Sequence, residues 1–233
     1  LSRKLRKAIS NLTQRSLITH NNPKSPISEQ YRTIRTNIQF SSVDHENRIL
    51  MVTSAGPAEG KSTTVANLAV VLAQQGKSVL LVDGDLRKPT VHYTFKVSNI
   101  HGITNVLTRQ LSLDDAVQRT KVEELFVLPS GPIPPNPSEL LNSKAMEMMV
   151  EDASQKYDYV LFDSPPVLAV TDAQVLSSHC DGVVLVTSSG QTEKEEALKA
   201  KELLENANAR ILGVVLNGKE SNSTNYYYYY ERK

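Results

Sequence analysis

The sequence contains no tryptophan, four phenylalanines and a single cysteine, Cys180. One cysteine excludes an internal disulfide and suits a reducing compartment. No apolar run approaches the ~20 residues that a membrane-spanning helix needs. The first residues also lack the apolar segment of a secretory leader. The expected location is therefore cytoplasmic, with any membrane contact peripheral. Net charge is only +1, which argues against a dedicated nucleic-acid binder. The histidines at 20, 45, 92, 101 and 179 are scattered, and no His/Cys spacing resembles a zinc site. No G-x-S-x-G elbow of a serine hydrolase occurs either.

What is present fits an ordinary globular protein: 233 residues, 39% hydrophobic and 22% charged, enough to bury a sizeable core. Charge is uneven, however. Arg3, Lys4, Arg6, Lys7 and Arg15 stand in the first fifteen residues without an acidic neighbour. Such a run suits anionic headgroups or an acidic partner, and equally a solvated terminus. Aromatics are uneven too, because Tyr226, Tyr227, Tyr228, Tyr229 and Tyr230 are contiguous near the C-terminus and the whole chain has nine tyrosines.

Short apolar runs at 48–54, 78–83, 125–129, 159–163, 182–187 and 211–217 read as strands. Most are continuously apolar, as parallel strands buried on both faces should be. Helical patterns at 61–75, 137–155, 171–178 and 192–208 lie between them. This alternation predicts an α/β fold with a mostly parallel central sheet and helices on both faces. The expected division is a basic segment 1–25, a main domain 26–217 and a tail 218–233 without periodicity.

The strongest chemical signal is SAGPAEGKSTT, 54–64, directly after the first strand and opening a helix. It follows the phosphate-loop pattern G-x-x-x-x-G-K-[ST], with Ala55 in the first glycine position. Gly56, Pro57, Ala58, Glu59, Gly60, Lys61, Ser62 and Thr63 complete the nucleotide-binding candidates. Their backbone N–H groups and the helix N-terminus favour a polyphosphate. Lys61 would neutralise phosphate charge and Ser62 would ligate Mg²⁺. Two further strands end in acid: LLVDGDLRKP places Asp83 and Asp85 there, and YVLFDSPP places Asp163. Ligands of open parallel sheets bind beyond the carboxyl ends of the strands. Carboxylates at that edge form a metal and general-base cluster for phosphoryl transfer.

These motifs resemble the bacterial tyrosine kinases, or BY-kinases, that accompany capsule and exopolysaccharide synthesis. The resemblance rests on AGPAEGKS, LLVDGDLRKPT, VLFDSPP, SGPIPPNPSELL and the tyrosine-rich terminus. It includes SEQYRTIRTNI, in which Glu29, Arg32 and Arg35 fit an E-x-x-R-x-x-R oligomerisation motif. The family is similar in fold to the P-loop partitioning and division-site ATPases. Those relatives carry a second lysine early in the loop, where this chain has Gly56.

The resemblance implies ATP and Mg²⁺ as co-substrate and metal. It implies a kinase that autophosphorylates its tyrosine cluster within a ring-shaped homo-oligomer and regulates capsular synthesis. It also implies a transmembrane activator supplying a cytoplasmic segment at the inner face of the membrane, protein-tyrosine substrates and an opposing phosphotyrosine phosphatase. By the same carry-over, Ser62, Asp83 and Asp163 hold the metal. Asp83 or Asp85 takes the tyrosyl proton, Arg87 meets phosphate or a neighbouring subunit, and Asn217 meets adenine or makes a turn. The alternative reading is a positioning ATPase without kinase activity, which shares the fold.

Overall fold

The computed structural model describes residues 17–41 and 46–219. In chain order the elements are α1 (Ile18–Asn21), α2 (Pro26–Phe40), β1 (Ile49–Ser54), α3 (Lys61–Ala73), β2 (Val79–Asp83) and α4 (Val91–Phe95). Next come α5 (Ile103–Leu107), α6 (Leu113–Ala116), β3 (Gln118–Arg119), β4 (Leu125–Leu128), α7 (Pro137–Leu141) and α8 (Lys144–Lys156). The remainder is β5 (Tyr159–Asp163), α9 (Asp172–Ser177), β6 (Gly182–Ser188), α10 (Lys194–Asn206) and β7 (Ile211–Asn217). The sheet runs β3-β4-β2-β5-β1-β6-β7. All its pairings are parallel except β3 with β4.

Continuous apolar runs make β1, β2, β4, β5 and β6 because both sheet faces are covered there. Successive residues point to opposite faces, so Leu50 and Val52 join one core cluster and Met51 the other. The first cluster is built around α3, whose residues Val65, Leu68, Val70 and Val71 are fully buried. A helix apolar on nearly every side must be enclosed. The sheet covers α3 on one side, and α1 and α2 pack against it as well. Asn67 of α3 accepts hydrogen bonds from the Thr19 N–H (3.1 Å) and Thr19 Oγ1 (2.8 Å). The second cluster packs Leu80, Val82, Val160, Phe162 and Leu185 against Leu141, Met146, Leu176 and Leu204 of the opposite helices.

The sequence pattern is modified in several places. The helix expected over 137–155 is two, α7 and α8. Ser143 is extended (φ −85°, ψ 157°), and its side chain accepts from the Met146 N–H at 3.3 Å. That N-cap starts a new helix and outweighs the shared periodicity. The helix expected from 192 begins at Lys194, since Thr192 is committed elsewhere. Between 91 and 119 the chain forms α4, α5, α6 and β3, for which no periodicity was long enough to read. At the sheet edge β7 leaves Val214 and Leu216 exposed. Among the described residues, no helix is long and apolar enough to cross a membrane.

Candidate active site

The functional residues converge because β1, β2, β5, β6 and β7 all end on one edge of the sheet. The loop after β1 turns through two left-handed residues, Ala58 (φ 63°) and Gly60 (φ 96°). At Gly60 a side chain is doubly excluded, because a Cβ there would lie 2.1 Å from Asn217 Nδ2. The N–H groups of Gly56 and of Ala58 through Thr63 donate to no acceptor among the described residues. Unpaired N–H groups that open a thirteen-residue helix, α3, make an anion cradle.

Beside the cradle, β2 and β5 are in register so that Asp83 and Asp163 are direct neighbours. Both are fully buried, and Asp85 is 5% exposed. Asp83 Oδ2 accepts from the N–H groups of Thr90 and Val91, each at 2.9 Å. Asp85 Oδ1 accepts from the Lys88 N–H at 3.0 Å. Lys61 Nζ lies 3.3 Å from both Asp85 Oδ2 and Asp163 Oδ1, and 3.2 Å from Ser62 Oγ. Burial alone would lower the Lys61 pKa, but Asp163 and Asp85 outweigh it and the net shift is upward. Burial, reinforced by Asp163 and opposed by the two N–H donors, pushes Asp83 up to about 7.

Two carboxylate oxygens, Asp83 Oδ1 and Asp163 Oδ2, are buried with no hydrogen-bond partner among the described residues. Buried acceptors of this kind are costly unless something binds them. Among the described residues, no three acidic, histidine or cysteine side chains form a metal-binding group by themselves. Two carboxylates and the Ser62 hydroxyl nevertheless suit Mg²⁺, which takes few protein ligands and completes its shell with water and phosphate oxygens. The donor set therefore fits that ion.

The other expected residues are placed less uniformly. Asn217 ends β7, where its Nδ2 donates to the Glu59 carbonyl at 3.0 Å. Arg87 is turned toward α9: its Nε and Nη2 donate to Asp172 at 2.8 and 3.0 Å. Ser138 also donates to Asp172. Glu29 and Arg32 pair on α2, and Arg32 donates to the Pro23 carbonyl at 2.9 Å. Arg35 donates to the Val71 carbonyl of α3 at 2.9 Å. Thus α2 is tied to the phosphate-loop helix within one chain. Tyr226 through Tyr230 lie outside the described residues.

Asp172, Ser138 and Thr192 were missed in the sequence. Asp172 and Thr192 lie in stretches without a motif, and Ser138 lies in SGPIPPNPSELL, whose pattern assigns it no partner; each gains its partner only through the fold.

Residues 47–209 match the AAA domain family AAA_31. Over 229 residues the sequence is 56% identical to the tyrosine-protein kinase YwqD of Bacillus subtilis strain 168, covering 98% of this chain and 97% of YwqD. The chain belongs to the bacterial tyrosine-kinase family. The kinase is similar in structure to the chimerical protein CapA2B2, with a TM-score of 0.85 and 47% identity over 88% of this chain and 90% of the other. It also resembles the septum site-determining protein MinD of Pyrococcus horikoshii complexed with Mg-ADP (TM-score 0.64, 27% identity), covering 76% of this chain and 73% of MinD. The fold is thus that of the P-loop ATPases, and the enzyme class is protein-tyrosine kinase.

Proposed function

We propose that this kinase transfers the γ-phosphoryl group of ATP to tyrosines of its own C-terminal cluster, Tyr226–Tyr230. The supporting observation is the pairing of an N–H cradle with two buried carboxylate oxygens that lack partners, all at one sheet edge. Ala55 through Thr63 would hold the phosphates, and Ser62, Asp83 and Asp163 would hold Mg²⁺. The bound ion would supply charge neutralisation at the β- and γ-oxygens.

The tyrosyl oxygen forms a bond to the γ-phosphorus while the bond to the β–γ bridging oxygen breaks. ADP keeps that electron pair. Lys61, drawn from the carboxylates toward phosphate, balances the charge that spreads over the γ-oxygens. Of the two candidates for the tyrosyl proton, Asp85 is better placed. Asp83 is fully buried with one oxygen committed to two N–H donors, whereas Asp85 Oδ2 is engaged by Lys61. The departure of Lys61 would free that oxygen. Arg87 supports this loop from two residues away through its fork to Asp172.

Transfer runs in trans within a homo-oligomeric ring, where a neighbour holds each tail at high effective concentration. Glu29, Arg32 and Arg35 on α2 contribute to that assembly. A membrane-spanning activator brings the kinase to the inner membrane face, and a phosphotyrosine phosphatase resets it, so the cycle regulates capsular or exopolysaccharide synthesis. The test mixes a Lys61→Met subunit carrying the tail with an active subunit truncated at Gly218, under Mg·ATP. Phosphotyrosine should appear on the Lys61→Met subunit. Absence of phosphotyrosine from the Lys61→Met subunit, while intact active chains label themselves in a parallel sample, would contradict transfer in trans. ATP turnover without phosphotyrosine would favour the positioning ATPase instead.

A further inference from the structure

The sheet order gives the nucleotide site a direction. The phosphate loop follows β1, and the carboxylates end β2 and β5 on one side of it. The terminal phosphate therefore points toward β5 and β2, and the base extends the other way, over the ends of β6 and β7. Those ends carry Ser188–Thr192 and Asn217–Gly218. Ser189, Gly190 and Gln191 are exposed, and open space surrounds Gly190.

Glu59 is the link between the two halves. It is 4% exposed, although a buried carboxylate beside a polyphosphate cradle repels the ligand the cradle should hold. Its oxygens are used in opposite directions. Oε2 accepts from the Ala55 N–H at 3.0 Å, at the start of the loop, and Oε1 accepts from Thr192 Oγ1 at 2.7 Å, on the base side. Thr192 Oγ1 in turn accepts from the Ser188 N–H at 2.8 Å, and Ser188 Oγ donates to Gln191 Oε1 at 2.9 Å. The Asn217 side chain holds the Glu59 carbonyl, while the Asn217 carbonyl accepts from the Ser189 N–H at 2.8 Å.

We propose that Glu59 is a positioning residue which, through Thr192, couples a base bound over Ser188–Gln191 to the shape of the phosphate loop. The inference rests on the nucleotide reading of the site. A base that orders Ser188–Gln191 fixes Thr192, which orients Glu59, which fixes the Ala55 end of the cradle. Phosphate binding is thereby favoured when the correct base is present, and part of the selectivity for adenine resides in residues that never touch it.

Calorimetric affinities for Mg·ATP, Mg·GTP and inorganic tripolyphosphate, in wild type and in Thr192→Val, Glu59→Gln and Glu59→Ala, test this. Loss of a hydrogen bond to a charged group corresponds to about tenfold in affinity. Thr192→Val should weaken ATP by about that factor, change tripolyphosphate less than about twofold, and narrow the ATP/GTP ratio. Glu59→Gln, which can accept from Ala55 N–H and donate to Thr192, should retain most of the ratio, whereas Glu59→Ala should lose it. Thr192→Val should then add nothing in the Glu59→Ala background. Equal weakening of all three ligands by Thr192→Val, or additive effects of the two substitutions, would reduce Glu59 to a fold brace and overturn the proposal. Failure of the wild type to bind Mg·ATP at all would instead overturn the nucleotide reading beneath it.

Discussion

Replacement of Asp83 by asparagine should change how the stability of the metal-free kinase depends on pH. Asp83 is fully buried, and its pKa is pushed from 3.8 up to about 7. Below pH 4 the carboxyl is protonated in both folded and unfolded chains. Between about 4 and 7 the folded chain keeps the proton and the unfolded chain releases it, so stability falls as pH rises. A displacement of about 3 units at ~1.4 kcal/mol each gives a loss of about 4 kcal/mol by pH 7. That figure is a ceiling, since Asp163 and Lys61 share the same cluster. Asparagine keeps an oxygen for the Thr90 and Val91 N–H groups and has no proton to lose. Urea unfolding in EDTA, from pH 5 to pH 8, should therefore show the variant gaining on the wild type with rising pH. The gap should approach a few kcal/mol at pH 8. Mg²⁺ with ADP should flatten the wild-type curve, because a cation favours the ionised carboxylates. A gap between the proteins that is the same at pH 5 and pH 8 would refute the assignment of the buried charge to Asp83.

Other expectations are simpler to state. Arg87→Ala leaves the buried Asp172 carboxylate with Ser138 as its side-chain partner among the described residues, which should cost about 1–3 kcal/mol in urea unfolding. Arg87 is 41% exposed, so the lower part of that range applies. Burial alone would raise the Asp172 pKa, but hydrogen bonds from Arg87 and Ser138 hold it below the usual carboxylate range. Its stabilisation is therefore present above pH 3.8 and lost as pH falls through its lower folded value, and Arg87→Ala should weaken that acid dependence. Arg35→Met removes the donor to the Val71 carbonyl, and should lower Tm by about 2–4 °C even in dilute, monomeric samples. An unchanged monomer Tm would assign Arg35 to subunit contacts alone. Five phosphotyrosines would add about −8 to −10 charges to the tail, so the phosphorylated kinase should sediment as a smaller species than the dephosphorylated one. Equal sizes would exclude a phosphorylation-driven disassembly.

Much of this architecture is written locally in the chain. Five of the six apolar runs are legible because a parallel strand covered on both faces has little room for polar side chains. The sixth, β7, is equally apolar although it leaves Val214 and Leu216 exposed, and each run forms a strand. The cradle is legible because Gly60, Lys61 and Ser62 stand together at a strand-to-helix turn, although the crowding of Gly60 by Asn217 is seen only in the fold. Asp83 and Asp163 could be recognised as strand-end acids, but their register across β2 and β5 could not. Where two local signals competed, the shorter-range one prevailed: the Ser143 cap divided a helix whose apolar spacing ran through it.

What the sequence hid consists of contacts from motif residues to distant positions outside any recognised chemistry. Arg87 and Asp172 stand 85 residues apart, and Glu59 and Thr192 stand 133 apart. Neither Asp172 nor Thr192 differs in its neighbourhood from an ordinary helix-start residue, so only folding identifies its partner. The same two contacts change the meaning of residues that were legible. Arg87 read as a cation for phosphate or for a neighbouring subunit, yet its fork is committed to a carboxylate that has no exposed side-chain surface. Glu59 looked like one more member of a phosphate loop, yet its carboxylate faces Ala55 on one side and Thr192 on the other. Motif residues thus divide into two groups by where their donors and acceptors are spent. Lys61, Asp83 and Asp163 keep capacity for a ligand, through weak ion pairs or oxygens without partners. Arg87 and Glu59 spend theirs inside the chain, so their substitution should alter loop geometry before it alters phosphoryl transfer itself.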